Sequence, residues 1–247
     1  MDNIKIADGL ETVDTGMTSF LMIGQSNMAG RGDFGVVPPI ENDRCFMLRM
    51  GRWQAMSEPI NPDRAIFREN CTCGVSLAAS FADEYAKTTG FEVGLIPCAD
   101  GGTIIEQWQP GQLLYDHAVM MAKLAMRTSH LTGILWHQGE SDCRNLKEEE
   151  YRHLFFNLMD SLRRDLGMPE LPLIIGEVSE HINPKHGMHD TPALNRLLHQ
   201  LQAEYPNCAI VEAKELPLKD DGVHFTAASC RELGKRYFEA YQSLIQK

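Results

Sequence analysis

The sequence predicts an α/β fold, a parallel sheet with helices on both faces. Short apolar runs alternate with longer amphipathic stretches along the chain, which is the pattern of strand–helix–strand units. The short runs are almost continuously apolar, as suits strands covered on both faces. No repeat, low-complexity tract or Pro/Gly/Ser-rich linker breaks the 247 residues, so one domain over 1–247 is expected.

The elements follow in order. Phe20–Ile23 reads as a buried strand that runs straight into Gly24 and a turn of small residues. Arg44–Met50 is a second strand. Ser76–Thr88 is a helix stopped by Gly90, and Glu92–Cys98 is a third strand. A helix over Leu113–Ser129 leads to a fourth strand, Gly133–His137. Tyr151, Leu154, Phe155, Leu158, Leu162 and Leu166 follow the i, i+3, i+4, i+7 rhythm of one buried helical stripe. Pro172–Ile175 is a fifth strand, Pro192–Glu204 a helix, Cys208–Val211 a short sixth strand, and Ala227–Leu244 the last helix.

Composition removes several classes of function. Hydrophobic residues make up 43% and charged residues 23%, which excludes a disordered or collagen-like chain. No apolar run approaches the ~18 residues of a membrane helix. Residues 1–16 are polar and acidic, without the basic start and apolar core of a secretory signal. The net charge of −11 would repel a nucleic acid, so neither a nucleic-acid nor a membrane partner is expected. The seven cysteines show no framework spacing, which fits reduced thiols and a cytoplasmic location. Cys71-Thr72-Cys73 lacks the second ligand pair of a zinc site.

Sites in parallel sheets sit beyond the carboxyl ends of the strands. After the first strand come Gly24-Gln25-Ser26-Asn27-Met28-Ala29-Gly30. A serine there presents its hydroxyl and its own N–H at the sheet edge, near the positive end of the next helix. The plain alternative is a helix N-cap. After the third strand, Gly101-Gly102 either turns N–H groups toward a ligand or makes an ordinary turn. After the fourth come His137-Gln138-Gly139-Glu140-Ser141-Asp142, too polar for an idle strand end. Near the C-terminus, Asp221-Gly222-Val223-His224 spaces a carboxylate so that it can hold an imidazole in one tautomer. The plain alternative there is an Asp-Gly turn. All four segments fall on one sheet edge.

The segments Gly24-Gln25-Ser26-Asn27-Met28, Pro97–Thr103, Trp136–Asp142 and Asp221–Phe225, in this order, resemble the SGNH hydrolases. More narrowly they resemble carbohydrate esterase family 6 and the sialate O-acetylesterase domain. The likeness runs from about Thr18 to Tyr241 and takes in Trp53, Glu58-Pro59 and Gly111–Tyr115. It implies a three-layer α/β/α sandwich with a flavodoxin-like sheet, and removal of acetyl groups from sugar hydroxyls. It implies Ser26 as nucleophile, His224 as base and Asp221 as the carboxylate orienting it. The wider superfamily has an asparagine where this chain has Gln138.

On that reading the substrate is an O-acetylated saccharide and no cofactor or metal is needed. The oxyanion would be held by the Ser26 N–H, the N–H of Gly102 rather than Gly101, and the Gln138 amide. Asp220 is the rival to Asp221. Gln25, Asn27 and Glu140 are read as substrate-binding or loop support, and Trp108 either stacks on sugar or packs. Glu140 with Asp142 could form an acid pair for glycosidase work, but the two are read as carboxylates that bond the loops positioning Gln138 and Ser26. Arg31 anchors the first loop. His181, His186 and His189 read as a mobile loop rimming the pocket, with a metal site as the alternative. The competing functions are another SGNH ester hydrolase, a lipase or thioesterase, and a non-catalytic sugar-binding domain.

Overall fold

A computed structural model describes residues 15–61 and 73–246. Seven strands form one sheet: β1 (Thr18–Gly24), β2 (Cys45–Arg49), β3 (Arg52–Ala55), β4 (Val93–Pro97), β5 (His130–His137), β6 (Leu173–Gly176) and β7 (Cys208–Val211). Their order is β3-β2-β4-β1-β5-β6-β7. The strands β1, β4, β5, β6 and β7 alone give the flavodoxin-like order 2-1-3-4-5. The hairpin β2–β3 extends that core along the β4 edge, with β2 parallel to β4 and β3 antiparallel to β2.

Strand β3 is absent from the sequence reading. Three of its four residues are exposed, so it carries no apolar run. Its turn is Met50-Gly51, both with positive φ (52° and 73°), where asparagine-glycine is the usual signal. Trp53 earns its place on β3 by lying flat over Gly94, where a Cβ would meet the indole at 2.5 Å.

Alternate residues of each strand feed two cores. Phe20 and Met22 of β1 pack with α2 (Leu77–Thr89) and α6 (Ala227–Ile245). Leu21 and Ile23 pack with α3 (Leu113–Ala125), α4 (Glu148–Asp165) and α5 (Thr191–Glu204). The three layers follow directly from this alternation. Helix α2 is capped by Ser76, whose side chain accepts the Ala78 N–H, and ends on Gly90 in the left-handed conformation.

Register brings the site together. Gly24 of β1 pairs with His137 of β5, so both strands end level. The Gln25 N–H donates to the His137 carbonyl (2.9 Å) and the Asp100 N–H to the Gly24 carbonyl (2.9 Å). The loops after β1, β4 and β5 therefore start side by side at the switch point of the sheet.

Candidate active site

Ser26 opens a one-turn helix, α1 (Ser26–Ala29), directly after β1. The N-cap is Gln25, which makes no side-chain capping bond, so Ser26 is not a capping serine. As the first helical residue, its N–H has no partner within the helix. Four residues give little macrodipole, so the field at this turn comes from that N–H and from neighbouring side chains.

His224 and Asp221 come from a tight loop before α6. Leu218 and Phe225 form an antiparallel bridge across its base. The Lys219 N–H donates to the His224 carbonyl (2.7 Å) and the Gly222 N–H to the Lys219 carbonyl (2.8 Å). Asp221 Oδ1 accepts the N–H groups of Val223 and His224, each at 2.9 Å. Asp221 Oδ2 lies 2.8 Å from His224 Nδ1, and His224 Nε2 lies 3.0 Å from Ser26 Oγ. Asp220 does not take part in this relay.

Electrostatics suit a base. Partial burial works against the Asp221 carboxylate, but the His224 and Val223 N–H groups and the imidazole outweigh it and draw the pKa down to about 2. His224 is held below its ordinary value, first by desolvation, with the Arg31 and Lys219 charges adding to it against the pull of Asp221. Its imidazole is therefore neutral at pH 7, able to accept a proton.

Across from the serine lies the loop after β4. Gly102 has φ 75°, a left-handed conformation that suits glycine. A Cβ on Gly101 would sit 2.7 Å from Arg31 Nη2 and 3.5 Å from the Ser26 Cβ. Arg31 thus does more than anchor a loop: its guanidinium borders the serine. Arg31 Nη1 bonds the Gly30 carbonyl (2.8 Å) and Cys73 Sγ (3.4 Å). The sequence placed Arg31 between Gly30 and Gly32, five residues after Ser26, but gave no sign that it turns inward.

Gln138 needs correction. It is fully buried, and its amide nitrogen donates to the Thr103 carbonyl (3.1 Å) and to Asp142 Oδ2. Its oxygen accepts from the Tyr151 hydroxyl (3.1 Å). Both amide protons are already committed, so Gln138 fastens the glycine loop instead of facing the acyl oxygen. Asp142 completes that clamp by accepting the Ile105 N–H, and burial raises its pKa to about 6. Trp108 is also buried completely. It packs edge-on against Trp136 and bonds Thr103 Oγ1 (3.1 Å), which leaves no face for a sugar.

Asn27 bonds Glu140 Oε1 (2.6 Å), the Val223 carbonyl (3.4 Å) and the Phe225 N–H (3.2 Å), tying the serine helix to both neighbours of His224. Gln25 Oε1 accepts the N–H groups of Gly139 (3.4 Å) and Ser141 (3.3 Å). The histidine loop is not a free rim. The Asn183 N–H bonds the Gly222 carbonyl (2.8 Å), and His186 Nε2 lies 2.7 Å from the Asp221 carbonyl. No group of three His, Cys, Asp or Glu able to hold a metal occurs among the described residues. Cys71 lies outside them, and the other six cysteines are buried. No described helix is long and apolar enough to cross a membrane.

Comparison with known proteins gives the family and the fold. The family model for carbohydrate esterase, sialic acid-specific acetylesterase, matches residues 16–243. A protein of Arabidopsis thaliana named "Probable carbohydrate esterase" is 31% identical over 244 residues, 91% of this chain and 90% of its own. A crystal structure of an Arabidopsis thaliana protein superposes with TM-score 0.78 at 30% identity, covering 92% of this chain and 98% of that one. The crystal structure of NanS shares the fold (TM-score 0.73, 15% identity, 95% and 99% coverage). With a family match over nearly the whole chain and a full-length relative, the chain belongs to the sialic acid-specific acetylesterase family of carbohydrate esterases.

Proposed function

We propose that the protein removes acetyl groups from saccharide hydroxyls through an acetyl-Ser26 intermediate. The observation that carries this reading is the relay Asp221–His224–Ser26, with contacts of 2.8 and 3.0 Å. His224 takes the Ser26 proton as Oγ attacks the acetyl carbonyl, then gives it to the departing sugar oxygen. Water, deprotonated by His224, attacks the acetyl-enzyme, and acetate leaves as Ser26 regains its proton. Asp221 holds the imidazole in the Nδ1–H tautomer and offsets its transient charge.

The oxyanion is assigned to the Ser26 N–H and the Gly102 N–H, with the Arg31 guanidinium supplying positive field beyond Gly101. Gln138 supports this pocket through the Thr103 carbonyl. The substrate is an O-acetylated saccharide.

Hydrolysis of p-nitrophenyl acetate, butyrate and octanoate by wild type and Ser26→Ala tests the reading. Acetate is expected to be preferred, and the variant to lose about 10⁶ in kcat while keeping its fold. A preference for octanoate would make the protein a long-chain acyl hydrolase. Near-wild-type activity in Ser26→Ala would remove the nucleophile assignment.

A further inference from the structure

A cavity of about 220 Å³ opens beside the glycine loop, at the N-terminal end of α4. We propose that it is a saccharide subsite, taking a ring of the substrate next to the acetyl group held at Ser26. This rests on the esterase reading and adds where the sugar lies.

The cavity borders the loops after β4 and β5 that build the catalytic site. Ile104, two residues beyond Gly102, lines it and is extended (φ −106°, ψ 160°). Two residues of chain span at most about 7 Å, roughly the width of one sugar ring. From the other side, Ser141 lines the cavity, and its N–H bonds Gln25, the residue before Ser26. An acetyl carbonyl at the Gly102 N–H and a ring against Ile104 thus fit one small molecule.

Its lining has the chemistry of sugar recognition. Ile104 and Leu146 offer apolar surface for C–H faces. Glu106 can accept hydroxyl protons, Lys147 can donate, and Asn145 can do both. Ser141 is buried, and its hydroxyl has no hydrogen-bond partner among the described residues, although it lines this cavity. A buried hydroxyl left unpaired is costly, and rotation of this side chain toward the cavity would let a ligand hydroxyl satisfy it. The volume lies below the ~300 Å³ at which pockets for drug-sized ligands begin, so it suits one ring rather than a chain or a long acyl group. Mixed polar lining likewise disfavours an acyl tail.

Asn145 is exposed, and no hydrogen bond of its side chain is seen, so it tolerates change. The experiment compares kcat/KM for xylose tetraacetate and for p-nitrophenyl acetate in wild type, Asn145→Ala and Asn145→Trp. The readout is the ratio of the two within each protein. The indole of Asn145→Trp fills the cavity and is expected to lower the saccharide-to-aryl ratio by about 10²; Asn145→Ala, which removes one hydrogen-bonding group, by a few-fold. An unchanged ratio in Asn145→Trp overturns the subsite. So does an equal fall for both esters, which would place the effect on the Asp142–Gln138 clamp. Wild type inert toward both esters would instead defeat the esterase reading itself.

Discussion

Ser26, His224 and Asp221 were readable as candidates only together: each alone had a plain alternative, a helix N-cap or an Asp-Gly turn, and the shared sheet edge and the family resemblance singled them out. The choice between Asp220 and Asp221 shows how far spacing reaches: three residues let Oδ1 cap two N–H groups while Oδ2 meets the imidazole. Asp221→Asn is therefore expected to lower kcat by about 10⁴ through the wrong tautomer, and Asp220→Asn to change it little. Steady-state kinetics on p-nitrophenyl acetate decide the order, and the reverse order would show the wrong carboxylate. Arg31 was illegible because nothing in a sequence says which way a long side chain folds back. Its charge holds the His224 pKa down, so Arg31→Gln removes a repulsion and lets that pKa rise. The acid limb of the kcat/KM profile should then move to higher pH. An acid limb left in place would separate Arg31 from the base.

At the scale of elements, periodicity located every parallel strand and every long helix, and erred only at their ends. Helix α4 begins at Glu148, ahead of its first stripe residue, because three glutamates favour a helix N-terminus without being apolar. The edge strand β3 was beyond reach because it is mostly exposed and carries no apolar run. The inner partners of Gln138 were beyond reach because Thr103, Asp142 and Tyr151 reach it only once the sheet has formed. The corrected role makes a different prediction from the original one. Gln138→Ala leaves three buried polar groups short of a partner, at about 1–3 kcal/mol for each group left unpaired, and should lower Tm by several degrees. An oxyanion donor would instead cost 10²–10³ in kcat with Tm unchanged. Thermal melts and kcat on the same preparation distinguish the two, and a kcat-only loss would restore Gln138 to the oxyanion hole.

For the whole molecule, the acid–base consequence of this site falls on Glu140, sealed between the serine helix and β5. It is fully buried; Oε1 accepts from Asn27, and Oε2 has no hydrogen-bond partner among the described residues. Its neighbour His137, 3.8 Å away, supplies no countercharge. Burial drives the His137 pKa down to about 3, so the ring is neutral. The Tyr237 hydroxyl gives its proton to the Trp136 carbonyl (2.8 Å), so His137 Nδ1 donates to Tyr237 and Nε2 is left as an acceptor. Asp142 adds repulsion. Desolvation, opposed by the Asn27 bond, thus raises the Glu140 pKa to about 7. A group whose pKa is raised on folding binds its proton more tightly in the native state. Its contribution is complete below the unfolded value of about 4.3 and is lost as pH climbs through 7. The difference approaches about 3 kcal/mol by pH 8. Gln at this position keeps a neutral acceptor for Asn27 and cannot ionise. The Tm of Glu140→Gln minus that of wild type should therefore rise between pH 5 and pH 8 by several degrees, whatever its offset at pH 4. The titration of His137 is common to both proteins and cancels in that difference. A gap that stays flat across the range would mean that the buried carboxyl ionises in the folded protein as it does in the unfolded chain, with no raised pKa.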